Sequence, residues 1–476
     1  MIAHEAHKRI RLIRLLPWRR QSIAPLAGFR VVFGLLVFCA TVRFWAHGWI
    51  EELYVRPRYL FPYYGFEWLP RPEAPGLYAV FGLLALSALG VAIGAFYRLS
   101  AVVLFVMFSY VELLDKTNYL NHYYYVTMVA AVLVLLPAAR AWSWDARHSR
   151  AAWAAATVPA WVVWAVKLQV ASVYFFGGVA KIKADWLLEA QPLKIWLAAN
   201  AHLPLVGGLL DETWLAYAVA WAACAFDLTV PFFLWRHRTR PWAYAVVVVF
   251  HLLTAKLFYI GIFPWAMLVS TWVFFRPETH RRVLGWLVSA VGGVASAVSA
   301  PRQARHAHVF SRGAETALAT TLSAVAVAAL LLMQIALPFR YLLYPGNLLW
   351  TEQGFRYSWN IMLIEKAGTV DFHLRDPATG RRWTVDPRRY LTRQQARMLS
   401  TQPDMLVQFA HFLAAEERRD GPLEVRAEAW VTLNGRPAHL LLDPTVDLAK
   451  QADTFAPKPW ILPLPTPTAA PVAVGR

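Results

Sequence analysis

The chain has 476 residues, of which 58% are hydrophobic and 16% are charged, and its mean hydropathy is +0.39. This composition excludes an ordinary soluble globular protein and predicts a mostly α-helical membrane protein. The net charge of +18 lies mainly in short gaps between apolar segments, as positive-inside topology requires, so we expect no nucleic-acid partner. Both cysteines, Cys39 and Cys224, lie inside apolar runs, which predicts neither a disulfide framework nor a cysteine-based metal site.

Residues 1–20 alternate basic and apolar side chains, which predicts a short amphipathic helix on an anionic cytosolic surface. The apolar run that follows is too long for a signal-peptide core, so we expect the N-terminus in the cytosol. About nine apolar runs approach the roughly 20 residues that cross a bilayer. They lie near residues 26–46, 75–95, 99–114, 121–139, 154–180, 213–235, 241–257, 259–275 and 315–338.

Alternating these spans from a cytosolic N-terminus places the basic stretches 140–150 and 236–240 inside, in agreement with the positive-inside rule. It places residues 115–122, residues 181–185 and everything after residue 340 outside. We therefore expect three polar elements to meet on one face of the membrane. Residues 277–314 are predicted to form a cytosolic linker with an interfacial helix near 283–300, because that stretch is short and rich in small residues.

The composition after residue 345 is that of a small α+β domain. Residues 370–375 and 382–385 flank a turn sequence and predict a hairpin, and residues 393–419 predict a helix that breaks at Pro403. Alternating apolar residues predict a strand at 423–433, which Asn434-Gly435 connects to a partner at 438–442. The proline-rich tail from residue 456 is expected to be extended.

The most informative run is residues 173–186, in which an apolar helix passes Gly177 and Gly178 and then presents Lys181. An amine placed where lipid-like surroundings end is poorly solvated, which disfavours its charged form and makes it a usable base. The alternative is a lysine that extends from a helix end into the interface, as many do. Asp185, four residues after Lys181, would oppose the base role if the helix continued and the two side chains paired.

Two further segments place polar groups near the membrane. Asn121 and His122 open the fourth apolar run, where a helix N-terminus exposes unpaired N–H groups that would stabilise a developing oxyanion. With the three tyrosines that follow, they equally fit an interfacial aromatic belt. His251 lies inside a span. It is either a ligand-binding residue or a packed histidine bonded to a neighbouring helix. The sequence contains no phosphate-binding loop, nucleophile elbow or metal-ligand spacing.

These segments resemble, in the same order, motifs of the vitamin K-dependent γ-glutamyl carboxylases. The resemblance runs from about residue 22 to 455 and places Lys181 on the family's catalytic base, with Ala180 where the animal enzymes have a second lysine. The Leu-Leu-Asp-Lys-Thr start at 113–117 places His122 on the histidine that supports the site. Residues 357–362 resemble the family's Tyr-Ser-Trp-Asp-Met-Met segment, with Asn360 in the acidic position, and residues 442–447 resemble its Phe-Asp-Pro-Arg-Val-Asp.

The resemblance implies an integral membrane enzyme that couples oxygenation of vitamin K hydroquinone by O2 to carboxylation of protein glutamate by CO2. Lys181 would be the base, Asn121 and His122 would orient or hydrogen-bond the oxyanion, and His251 would belong to the quinone pocket. The lipid-soluble substrate needs an apolar slot, for which Phe175, Phe176, Phe258 and Phe263 are the candidates. Tyr357, Trp359 and Met362 are the candidates for substrate binding. Implied partners are a glutamate-containing protein or peptide, membrane lipid and a quinone reductase.

Two alternatives stay open. One is a quinone epoxidase without carboxylation, or a non-catalytic homologue, because Ala180 and Asn360 depart from the animal pattern. The other is a transporter, in which Lys167, Gln169, His251 and Lys256 would line a path. A transporter predicts repeated halves with broken helices, which the sequence does not show.

We thus expect a basic cytosolic segment (1–20), a membrane domain resembling the carboxylases (21–276), a cytosolic linker (277–314), a last span (315–338), an outer α+β domain (339–455) and a tail (456–476). The expected location is the bacterial inner membrane, with the N-terminus in the cytosol and the C-terminal domain outside.

Overall fold

The computed structural model describes residues 17–148, 157–258, 260–290, 313–418 and 421–465. The predictions made for residues 1–16, for most of the interfacial stretch in the linker and for the end of the proline-rich tail lie outside these ranges.

Six helices in the described ranges are long and apolar enough to cross a membrane. They are α1 (Ala24–Ala46), α2 (Ala74–Ile93), α3 (Tyr97–Leu114), α5 (Ala160–Ala180), α6 (Thr213–Trp235) and α10 (Gly313–Ala336, prolonged by a 3-10 segment at Leu337–Leu343). Three further helices, α4 (Asn121–Leu135), α7 (Arg240–Leu257) and α8 (Phe263–Thr271), lie in the other three predicted spans. Helices α4 and α8 are shorter than the six, whereas α7, with 18 residues, is as long as α3. The described ranges therefore contain six candidate spans, and the predicted number of nine is not confirmed.

The start of α1 and the start of α5 lie side by side. Strand β1 (Arg20–Ser22) pairs antiparallel with β2 (Thr157–Pro159), directly before the two helices. Arg30 of α1 is fully buried and donates hydrogen bonds to the carbonyls of Val91 and Ala92 at the end of α2, at 2.6 and 2.8 Å. A buried guanidinium needs such acceptors, because an unpaired charge in the interior is strongly destabilising. Helix α9 (Pro277–Ala290) follows α8 on the same side.

The outer domain is a four-stranded antiparallel sheet in the order β4-β3-β5-β6, formed by Lys366–Arg375 (β3), Arg382–Val385 (β4), Glu424–Leu433 (β5) and His439–Leu440 (β6). Helices α11 (Arg393–Leu399) and α12 (Pro403–Glu416) complete its core. The hairpin, the helix break at Pro403 and the strand pair across Asn434-Gly435 agree with the sequence predictions. Pro403 starts the second helix because its missing N–H is unpaired in a first turn anyway.

The outer domain and the segment after α5 share one hydrophobic core. Short helices at Ala184–Leu187, Leu193–Ala198 and Gly207–Leu210 connect α5 to α6, and their apolar side chains cluster with those of the sheet and of α12. Polar contacts reinforce this packing: Lys116 pairs with Asp404 of α12 at 2.9 Å. The loop that leads to α4 and the end of α5 are thereby held beneath one rigid cover.

Candidate active site

Lys181 is the residue that caps the C-terminus of α5, and only 6% of its surface is exposed. Its Nζ donates to Oδ2 of Asp227 on α6 at 2.8 Å and to the Gly177 carbonyl at 3.2 Å. The Trp186 ring lies 5.4 Å from Nζ. Lys181 is therefore buried and paired with a carboxyl group that is itself buried. An ionised partner favours the charged amine, so a base role for Lys181 requires the proton of the pair to lie on Asp227.

The two glycines before Lys181 allow α5 and α6 to approach closely. A Cβ atom added to Gly178 would lie 2.8 Å from the Leu228 backbone nitrogen, and one added to Gly177 would lie 3.7 Å from Oδ2 of Asp227. Larger side chains would separate the helices, because no room exists for a methyl group at Gly178. The close approach at the Lys181–Asp227 contact thus depends on Gly178, whereas a Cβ at Gly177 would make only an ordinary van der Waals contact.

Asp185 does not pair with Lys181, so the opposing pair considered for it is wrong. Helix α5 ends at Ala180, and the chain turns away before Asp185. Arg436 instead binds Asp185 with both terminal nitrogens, at 2.8 and 2.9 Å, and Asn434 donates to it at 2.8 Å. The turn between β5 and β6 is thereby tied to the segment that follows Lys181.

His251 lies on α7 and is 2% exposed. Its Nε2 forms a hydrogen bond with the Tyr174 hydroxyl at 2.8 Å, while its buried Nδ1 has no partner among the described residues. Tyr174 precedes Lys181 by two helical turns and therefore lies on the same side of α5. His251 is thus bonded to a neighbouring helix and also retains a free ring nitrogen.

Two apolar cavities lie at this site. The small cavity has a volume of about 80 Å³, and its wall contains Lys181, Asp227, Tyr174 and His251. The large cavity has a volume of about 380 Å³ and contains Asn121 and His122. Four residues line both cavities and form the wall between them: Ile260, Phe263, Ile361 and Met362.

Asn121 and His122 occupy the first turn of α4, as the sequence predicts. The Asn121 amide donates to the Asn360 carbonyl at 3.4 Å and accepts from the Tyr119 hydroxyl at 3.1 Å. The His122 ring lies 6.2 Å from the ring of Phe263, which belongs to the shared wall. Asp115 anchors the preceding loop, and burial raises the pKa of this carboxyl to about 6.

The four phenylalanines suggested for a quinone slot divide into two pairs. Phe258 and Phe263 line the small cavity, and Phe263 also lines the large one. Phe175 is 38% exposed on the outside of α5, and Phe176 packs against Phe339. The structure therefore places Phe175 and Phe176 away from the walls of both cavities.

The segment 357–362 connects the last membrane helix to the outer domain. Tyr357, Trp359 and Met362 have positive φ angles of 60°, 54° and 56°, a backbone region that non-glycine residues rarely adopt. Tyr357 and Trp359 pack against Tyr124 with ring distances of 5.1 and 4.8 Å. Of the three, only Met362 lines the cavities. The strained backbone turns Ile361 and Met362 into the shared wall.

Asp227 is a site residue that the sequence analysis did not name. It is the acid within the apolar run of α6 and is 6% exposed. A charged group inside a span is by itself a signal of function. Glu112 of α3, also 6% exposed, gives the same signal and lines the large cavity.

The residues proposed for a transport path do not converge. The amine of Lys167 lies over the Trp235 and Phe274 rings, and Gln169 is bonded to Gln334. Lys256 is exposed. Of the four, only His251 lines either of the two cavities. In the described ranges, no cluster of three or more metal-binding side chains occurs.

The fold and site define a helical membrane protein with a desolvated lysine–aspartate pair beneath a small outer domain. Residues 18–278 match the HTTM domain, and residues 319–467 match the lumenal domain of vitamin K-dependent gamma-carboxylase. The chain belongs to the vitamin K-dependent gamma-carboxylase family. No solved structure matches the chain.

Proposed function

We propose that this protein is an integral membrane vitamin K-dependent γ-glutamyl carboxylase that couples oxygenation of the hydroquinone to carboxylation of a glutamyl side chain. The observation that carries the proposal is the buried contact of 2.8 Å between Lys181 and Asp227 at the edge of an apolar cavity. The family match supplies the reaction class.

The Lys181–Asp227 pair is suited to accepting a proton from a phenolic hydroxyl. The pair carries no net charge whether its shared proton lies on Nζ or on Oδ2, so movement of that proton does not create an isolated charge in a low-dielectric site. With the proton on Asp227, Nζ presents a lone pair to the substrate. Trp186 and the Gly177 carbonyl hold the amine in place.

The hydroquinone, oxidised by O2 to its epoxide, supplies the strong base that removes a glutamyl γ-proton before CO2 adds. The walls of the two cavities fit a flat aromatic ring with an apolar tail, since they are mainly aliphatic and aromatic. His251, Phe258 and Phe263 would hold the edge of the ring that enters the small cavity and faces Lys181. A volume of about 80 Å³ admits only part of such a molecule, so we expect the rest to occupy the large cavity across Met362.

The remaining site residues would position groups and exclude water. Asn121 and His122 would hydrogen-bond developing negative charge at the α4 N-terminus. Segment 357–362 and the outer domain would close the cavity from above, which protects a strong base from protonation by solvent. The glutamate-containing protein or peptide would enter from the side of the outer domain. A membrane quinone reductase would supply the hydroquinone.

We place the protein in the bacterial inner membrane, with residues before α1 in the cytosol and the outer domain on the opposite side. The basic stretch at 236–240 would then face the cytosol, as the positive-inside rule requires. The description of the matched C-terminal domain as lumenal supports this orientation.

The direct test incubates the purified protein in lipid nanodiscs with reduced vitamin K, labelled bicarbonate and a glutamate-containing peptide. Epoxide formation together with label in the peptide is the expected result. Epoxide without label would identify an epoxidase, and neither product would overturn the proposal.

Lys181→Ala is expected to lower epoxide formation at least about 100-fold, the usual contribution of a general base. A small exogenous amine should restore part of the activity. Lys183→Ala is the matched control, because its amine lies over the Tyr341 ring and not in the small cavity. Equal activity of the two variants would remove Lys181 from the mechanism.

An epoxidase without carboxylation is the second candidate, and the observation in its favour is Asn360. The family has an acid at this position, whereas the Asn360 amide is used to donate to the Phe355 carbonyl at 3.1 Å. If this acid serves the carboxylation half of the reaction, Asn360→Asp would introduce label incorporation into a protein that otherwise forms only epoxide.

A further inference from the structure

Glu112 is a buried acid whose hydrogen bonding is incomplete. Its Oε2 accepts a hydrogen bond from the Thr127 hydroxyl at 2.5 Å. Its Oε1 is buried and has no partner in the described part of the chain. A buried acceptor without a donor is destabilising, by an amount comparable to a lost hydrogen bond. The bond to Thr127 also fixes the orientation of the carboxyl group.

The unpaired oxygen belongs to a residue in the wall of the large cavity. With a volume of about 380 Å³, this cavity lies in the range typical of small-molecule sites, whereas the small cavity, at about 80 Å³, does not. Most of the wall is apolar, formed by residues such as Val37, Leu84 and Phe108. The wall also contains polar side chains, among them Thr41, Arg43, Asn121 and His122, and Glu112 is the acid among the lining residues. A carboxyl group with a fixed orientation in a mostly apolar wall suits recognition of a hydroxyl group on an apolar molecule.

We propose that the large cavity selects the reduced form of the quinone, through a hydrogen bond from one hydroxyl of the hydroquinone to Oε1 of Glu112. This proposal rests on the proposed function, because it assumes that the hydroquinone is the substrate. It assigns to Glu112 a role in recognition, at a position separate from the Lys181–Asp227 pair.

The selectivity follows from hydrogen-bond chemistry. A hydroquinone hydroxyl donates a hydrogen bond, whereas the carbonyl oxygen of the oxidised quinone only accepts. An accepting oxygen of Glu112 therefore binds the hydroquinone. The oxidised quinone leaves the same oxygen unpaired. A site with a buried acceptor discriminates strongly against a ligand that lacks a hydrogen-bond donor, because that ligand leaves the acceptor unpaired.

The test measures binding without turnover, in oxygen-free nanodiscs, by quenching of tryptophan fluorescence. The probes are a short-tailed naphthohydroquinone, its quinone, and the hydroquinone dimethyl ether, which keeps the reduced ring but has no donor. The native protein should bind the hydroquinone about tenfold more tightly than either comparison ligand. Glu112→Leu should abolish this preference.

Two further variants keep the test informative if Glu112→Leu fails to fold. Thr127→Val releases the carboxyl group and should reduce the preference in part, while Glu112→Gln keeps an acceptor and should retain most of it. Leu84→Ala, which changes the same wall without a polar group, should alter binding of all three probes alike.

An unchanged preference in Glu112→Leu would overturn the proposal, as would a native protein that binds the dimethyl ether as tightly as the hydroquinone. Preferential binding of the quinone would also overturn it, because the acid would then be the donor. These outcomes are independent of catalysis: the proposed function fails if epoxide and label are absent from the turnover assay, whatever Glu112 binds.

Discussion

At the scale of single residues, Asp227 is the group on which the chemistry of Lys181 depends. We expect Asp227→Asn to lower the rate of epoxide formation about 100-fold, because an amide cannot accept the proton that the pair shares. The loss should fall on kcat more than on KM, since Asp227 acts on the amine and not on the bulk of the substrate. Steady-state kinetics with reduced vitamin K provide the measurement.

The control for this variant lies two residues further along the same helix. Thr229 is exposed on α6, and its hydroxyl bonds the Ala225 carbonyl of its own helix at 2.6 Å. Thr229→Val should retain native kinetics. If Asp227→Asn showed the same kinetics as this control, the pair would have only a structural role.

The sequence identifies one partner of this pair and not the other. Lys181 is recognisable because an amine after two glycines at the end of an apolar run is unusual. Asp227 lies 46 residues away, in a run that was read only as apolar. Nothing local indicates that the two meet, because their contact depends on the close approach of α5 and α6 at Gly178. Glu112, like Asp227, is marked in the sequence only as an acid inside an apolar run, and its partner Thr127 lies on the next helix.

At the scale of elements, the turn between β5 and β6 is a link between the outer domain and the active-site segment. Arg436 holds Asp185 with two hydrogen bonds, and both side chains are mostly buried. We expect Arg436→Ala to destabilise the protein by about 3 kcal/mol, because it leaves a buried carboxylate without its partner. Lower thermal stability should accompany a lower kcat.

Arg426→Ala is the matched control for this link. Arg426 lies on β5, the strand that leads into this turn; its side chain is 42% exposed and pairs with Glu424 of β5. An exposed pair of this kind contributes little to stability. Thermal unfolding and epoxide formation should therefore remain close to native, and a similar loss in both variants would refute the specific role of Arg436.

A second link between elements depends on pH. Burial raises the pKa of Asp404, but Arg356 and Lys116 outweigh this effect and hold the pKa well below its usual range. A carboxyl group with a depressed folded-state pKa contributes stability that is fully present above its unfolded pKa of about 4. Below that pH the contribution decreases, until the folded-state group is protonated as well.

Asp404→Asn should therefore lower the melting temperature by a constant amount between about pH 8 and pH 5, with the difference shrinking below about pH 4. We expect a loss of about 2 kcal/mol at neutral pH, less than for a fully buried pair because Asp404 is 25% exposed. Differential scanning calorimetry across this range provides the measurement. A difference that grew on acidification would contradict this account.

Element identity was largely predictable from sequence, and element ends were not. The hairpin and the break at Pro403 have local signals, namely a turn sequence and a residue without an N–H group. The end of α5 at Ala180 has no such signal, so the pairing of Asp185 was misjudged. The positive φ angles at Tyr357, Trp359 and Met362 are equally unpredictable, because tertiary packing imposes them on residues that disfavour them.

At the scale of the whole molecule, the contacts between loops determine how many helices cross the membrane. Strand β1 precedes α1, strand β2 precedes α5, and the two strands pair, so an even number of crossings separates them. Three long helices, α1 to α3, lie between them. We therefore expect α4 to cross as well, although its 15 residues span only about 22 Å.

The same reasoning applies to α7 and α8. Asn200, which lies between α5 and α6, donates to the Leu257 carbonyl at the end of α7, at 3.3 Å. Arg281, which follows α8, donates to Ser22 beside α1, also at 3.3 Å. We therefore expect α7 to return to the face that carries Asn200, and α8 to cross back. A helix as short as α8 is compatible with a crossing where its ends are covered by protein and not by lipid.

We therefore expect nine crossings, with the outer domain on the face opposite to β1. Fusions to alkaline phosphatase, which is active only outside the cytosol, and to green fluorescent protein, which fluoresces inside, provide the measurement. Phosphatase should be active when inserted at residues 201–206 or fused after residue 476, and fluorescence should appear for insertion at residues 236–239. If only the six long helices crossed, the strand pair β1–β2 would join opposite faces of the membrane, which is impossible. Phosphatase activity at residues 236–239 would therefore refute the arrangement of all the helices after α5, and with it the approach of a glutamyl substrate to Lys181 from outside.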